Sequence, residues 1–174
     1  QTTLTIIKTG ALALLILLGL TIGRNAQAIA ANFSNGAFSG GINISSAFMI
    51  AFGASLVGSL FSSDAWNNVT FTAAEVQNPK RKLPLARLLG TGLVSILYLL
   101  ANIAYLNVLP LHGIKDGATV LERGIQFATQ DRVGAAAAEM IFGAAGGTLM
   151  AAAILISTFG CNNGLILSGA RVYY

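Results

Sequence analysis

Four times in this 174-residue chain, apolar residues run on for the length of a membrane-crossing helix, about 20 residues. The runs are Leu4–Gly23, Ile44 through Phe61, Leu85–Leu109 closed by Pro110, and a stretch within Gly146–Val172. They are continuous rather than confined to one helical stripe, so no single buried face accounts for them. Hydrocarbon offers the backbone no partners, so a spanning segment must satisfy its own amides, as a helix does. The expected fold class is all-α, a multi-pass membrane helical bundle embedded in a lipid bilayer. Composition agrees: only 9% of residues are charged, against about 25% in soluble domains.

The formal net charge of +4 does not point to nucleic acid, because the cations cluster at the edges of apolar runs. Lys80, Arg81, Lys82 and Arg87 cluster where the chain enters the third run, and Arg171 closes the fourth. The excess of cations in short cytoplasmic loops then predicts loop 78–84 inside, and loops 24–43 and 111–143 outside, the membrane. Cys161 is the single cysteine and lies within an apolar run, so no disulfide framework exists. Metal-ligand spacing, a nucleophile elbow and a phosphate loop are all absent, and the one histidine, His112, sits in a loop. A non-enzyme without a cofactor is expected. Lys8, Leu12–Leu20 and Ala26-Gln27-Ala28 imitate a signal peptide, but further spans follow. The missing Met and the abrupt apolar start suggest an internal fragment. Asn32 and Asn43 head Asn-x-Ser sequons in an outside loop, a pattern common by chance. Glycines 143, 146 and 147 predict a break that sets off a short helix over Ala135–Phe142 from the fourth span.

The second run does not end cleanly. Phe61, Ser62, Ser63, Asp64, Ala65, Trp66 and Asn67 interrupt it with polar, helix-weakening residues, and helix-compatible residues resume from Val69 to the Asn78-Pro79 stop. One reading makes 62–68 a loop. The other makes 44–77 a discontinuous span, with bare carbonyls at the first break and bare amides at the second. Carbonyls of Phe61 to Asp64 then attract an ammonium group. Asp64 is either a mid-depth functional carboxylate or a group solvating a vestibule. Lys8, a turn inside the first span, either snorkels to the surface or stands in the place of a bound metal cation. Ser157 and Thr158 either contribute to such a site or bond back onto their own helix. Glu75 and Arg171 end on the same predicted face and either form a gate or a weak surface pair.

These residues resemble a known family. Asp64-Ala65-Trp66-Asn67 and Glu75 through Pro84 look like the sixth transmembrane helix of amino acid transporters in the amino acid–polyamine–organocation superfamily, nearest its L-type branch and bacterial relatives. Tyr98–Tyr105 is similar to the family's seventh helix, Ser157–Gly164 and Gly169–Arg171 to its eighth, and Lys8–Leu15 to the start of its fifth. The resemblance implies a LeuT-like fold of two inverted five-helix repeats, with helices five to eight present here. It implies that carbonyls of Phe61 and Asp64 take the α-amino group of an amino acid substrate, that Phe61 caps the site, and that Trp66 and Asn67 line it. It implies that Lys8 occupies the sodium position of sodium-coupled relatives, near Ser157 and Thr158, and that Asp116–Phe142 forms an external lid. Ala65 stands where the family usually has glycine.

The expected function is alternating-access transport of neutral or small L-amino acids, by sodium-independent exchange or facilitated uptake. A proton-coupled symporter is the alternative within transport. A non-transporting membrane scaffold is the alternative outside it. Substrate identity and an accessory subunit are not readable from these residues.

Overall fold

The computed structural model describes residues 2–34, 44–62, 70 and 76–171, with the backbone alone at 34, 61, 62 and 171. All regular structure among the described residues is helical. The principal helices are α1 (Thr2–Leu20), α3 (Ser46–Ser62), α4 (Pro79–Val108), α6 (Val133–Phe142) and α7 (Gly146–Arg171). Two single turns, α2 (Ala26–Ile29) and α5 (Val120–Arg123), lie in the connections. Helix α1 has 19 residues and so a length of roughly 29 Å, close to the hydrocarbon thickness. Helices α4 and α7 are longer still, at 30 and 26 residues.

The apolar stretch 133–170 is not one straight helix. Gly143 takes φ 65, ψ −148 and ends α6, a conformation glycine adopts without a Cβ penalty. A 3₁₀ turn, Gly143–Ala145, then leads into α7. Gly146 is required for a second reason: a Cβ there would overlap the backbone of Ala138 and Glu139. The break suggested by the glycines is therefore real, and α6 folds back against the start of α7.

Helix α4 begins at Pro79, six residues before the apolar run at Leu85. Proline suits the first helical position, where its missing N–H would be unpaired anyway. Asn78, in the left-handed region at φ 58, offers its carbonyl to the amides of Arg81 and Lys82. The basic cluster Lys80, Arg81, Lys82 and Arg87 therefore belongs to the opening turns of a helix rather than to a connecting loop. Pro84 falls inside α4, one turn further than its missing donor is harmless.

The described chain divides into two units, 1–39 with 95–164, and 40–94 with 165–174. In the first, Val108, Leu109, Ala128, Ala136 and Ala137 form a buried core, with Tyr105, Val120, Ile125, Val133, Met140 and Ile141 packed against it. Helices approach closely through small residues. A Cβ on Gly19 of α1 would lie 3.0 Å from the Ala104 Cβ of α4. A Cβ on Gly160 of α7 would lie 3.4 Å from the Leu4 Cβ of α1. In lipid such close backbone approach replaces hydrophobic burial as the source of helix association. In the second unit, every α3 residue from Ser46 to Leu60 is exposed. Phe48 and Phe52, one turn apart, stack with ring centroids 6.1 Å apart.

The connections are more structured than loops. Asn25 caps α2, its Oδ1 accepting from the amides of Gln27 and Ala28 at 2.9 and 3.3 Å. The chain then passes into a π-helical turn, Ala30–Ser34. Before α5, Thr119 and Glu122 form a reciprocal capping box: Thr119 Oγ1 accepts from the Glu122 amide at 3.2 Å, and Glu122 Oε2 from the Thr119 amide at 3.2 Å. Glu122 Oε2 also accepts from the Ala118 amide at 2.8 Å. Arg123 donates to the Gly117 carbonyl at 2.9 Å. Ile125 and Gln126 return their amides to the carbonyls of Pro110 and Leu111 at 2.8 and 3.1 Å. The segment 110–126 is thus a closed, hydrogen-bonded knot.

Candidate substrate and cation sites

The two halves of the candidate site fare differently. Phe61 and Ser62 form the last turn of α3. Ser63, Asp64, Ala65, Trp66, Asn67 and Glu75 lie outside the described residues. The discontinuity of the second span and the Glu75–Arg171 pair therefore lie outside them too. Arg171 is the closing residue of α7.

The candidate cation site is described. Lys8 is half-buried on α1, and its Nζ lies 4.0 Å from Cys161 Sγ on α7. That separation is long even for a sulfur acceptor, so it marks proximity more than a strong bond. Ser157 and Cys161 are four residues apart and hence share a face of α7. The ammonium therefore approaches α7 one turn from Ser157. Thr158 is exposed, and its Oγ1 donates to the Ile154 carbonyl at 2.9 Å. Its hydroxyl hydrogen bonds back onto its own helix, which leaves the oxygen lone pairs for any further contact. No cluster of histidine, cysteine or carboxylate residues suited to a metal occurs among the described residues.

Asn32 is the polar residue that sequence reading undervalued. It is 1% exposed, and the polar atoms of its side chain point at the last turn of α4 and at the two residues flanking Pro110. Nδ2 donates to the Leu106 carbonyl at 2.7 Å and the Leu109 carbonyl at 2.9 Å. Oδ1 accepts from the Leu111 amide at 2.7 Å. Beside it, the Asn25 amide donates to the Asn107 carbonyl at 2.9 Å. These groups satisfy carbonyls that a helix end leaves without intrahelical partners. The only local signal was the Asn-x-Ser pattern, which suggested a glycan acceptor instead.

Comparison with known proteins assigns these helices to a class. A family model described as "Amino acid permease" matches residues 1–174, and the chain belongs to that family of membrane-embedded, multi-pass proteins. The serine/threonine exchanger SteT of Bacillus subtilis (strain 168) is 34% identical over 123 residues, covering 71% of this chain and 25% of the relative. The b(0,+)-type amino acid transporter 1 of Rattus norvegicus is 31% identical over 175 residues, covering 100% of this chain and 31% of the relative. Its Homo sapiens counterpart is 34% identical over 109 residues, covering 63% of this chain and 21% of the relative. The chain thus spans between a fifth and a third of the length of these relatives. These relatives are named as an exchanger and transporters, not as enzymes. No solved structure matches the chain.

Proposed function

We propose that this chain forms part of an alternating-access transporter of neutral or small L-amino acids, working by sodium-independent exchange or facilitated uptake in the cell membrane. The family match over residues 1–174 carries the transport reading. The Lys8 ammonium, seated against α7 one turn from Ser157, supports sodium independence. A fixed monovalent cation there removes the need for a diffusible one and opposes its entry. In this reading the segment Phe61–Asn67 holds the substrate, with carbonyls of Phe61 and Asp64 facing its ammonium group. Lys8 with Ser157 and Thr158 replaces a cation site, and Glu75 with Arg171 closes the inner face. Segment 78–84, with the opening turns of α4, is cytoplasmic, and the connections 24–43 and 111–143 are external. The name of the Bacillus relative makes L-serine and L-threonine the first substrates to try.

The test uses the full-length protein in proteoliposomes. Labelled L-serine should enter in sodium-free buffer, and faster when unlabelled L-serine is inside. Uptake that requires sodium would overturn the cation assignment. Uptake driven by a proton gradient and indifferent to internal amino acid would favour the symport alternative.

A further inference from the structure

We propose that Asn32 is a positioning residue of the transport cycle, fastening the segment after α1 to the C-terminal end of α4 so that these parts shift together. The inference rests on the transport reading above. The sequence separation is large: Asn32 reaches residues 74, 77 and 79 positions away. One carboxamide joins three backbone groups: the Leu106 carbonyl in the last turn of α4, the Leu109 carbonyl just past its end, and the Leu111 amide beyond Pro110. Proline interrupts the backbone ladder there, because it has no N–H to continue it. The fastening at Asn32 is therefore what carries the end of α4 over into the knot of 110–126. It does not act alone. The Asn25 amide holds the Asn107 carbonyl at 2.9 Å, and Gly19 lets α1 lie against Ala104 and Val108 of α4. The exit of α1, the end of α4 and the start of the following loop thus share one set of buried contacts.

The two arms of the carboxamide can be separated experimentally in the full-length transporter. Asn32→Ala removes both arms. Asn32→Asp keeps an oxygen for the Leu111 amide but turns a carboxylate toward two carbonyls. Labelled L-serine uptake should lose at least about fivefold in maximal rate in both variants, with KM changed by less than about twofold. Hydrogen exchange at the Leu111 amide should accelerate at least about tenfold in Asn32→Ala and stay slow in Asn32→Asp. A general loss of folding would not produce that split. Maximal rates within about twofold of wild type, at equal membrane abundance, would overturn the proposal. Should Asn32→Ala fail to accumulate, the Asn32→Asp rate decides. In the wild-type protein, a Leu111 amide exchanging as fast as an unstructured peptide would also overturn it. Wild-type protein that takes up no amino acid would instead sink the transport reading, and the two failures are distinct.

Discussion

Lys8→Ala separates a working ammonium from a snorkelling one. The direct contact at stake is weak: 4.0 Å from Nζ to Cys161 Sγ. Its loss should cost less than about 1 kcal/mol of stability. The packing of Leu4 on Gly160 is untouched by the change. The electrostatic consequence is larger. A sodium ion beside Ser157 would sit about one helical turn, roughly 5 Å, from the ammonium. With an effective dielectric of about 20, their repulsion is about 3 kcal/mol, or roughly a hundredfold in sodium affinity. Wild-type uptake should therefore ignore sodium. Lys8→Ala should lose at least about tenfold in L-serine uptake while its melting temperature in detergent moves by only a few degrees. Lys8→Arg, which keeps the charge, should retain more activity than Lys8→Ala. The assay is proteoliposome uptake across a sodium titration, with abundance and melting measured on the same preparations. Near-normal uptake by Lys8→Ala would show that the side chain only snorkels.

Other predictions test the remaining readings. Tags at Lys82 should be cytoplasmic and tags at Lys115 external; both on one side would remove the proposed topology. Ala65→Leu should abolish substrate binding in a folded protein, Ala65→Gly should be tolerated and Phe61→Ala should slow uptake, as read by ligand-binding and transport assays. Thr119→Ala should cost about 1 kcal/mol locally and raise hydrogen exchange over 117–124, since it breaks the capping box; unchanged exchange would show that the box is not what holds the knot. In a glycosylating host, the sequon at Asn32 should carry no glycan on folded protein, because its nitrogen is spent on two carbonyls; a glycan mapped to Asn32 by mass spectrometry would contradict that.

The long helices were legible because apolar length is a local property. So was the division at Gly143, where three glycines signalled a stop. The Thr119–Glu122 spacing matches a capping box, a signal that the sequence reading left unused. The start of α4 was obscured because hydropathy hides a helical turn made of Lys80, Arg81 and Lys82. Asn32 could not be read at all, since its partners lie more than 70 residues away and are backbone atoms without sequence identity. On the candidate site, residues alone left Lys8 open between two roles. Its approach to α7 follows from helix packing that one chain segment does not reveal.

The end of α4 has an electrical consequence. A helix that stops with bare carbonyls presents roughly half a negative charge, and cations gather there. Here the carbonyls of Leu106, Asn107 and Leu109 are answered by the nitrogens of two asparagines. Neutral amides quench these carbonyls without importing any charge. The ammonium of an amino acid drifting past would therefore find little to detain it at this end. Its attraction would be left to ends that stay open.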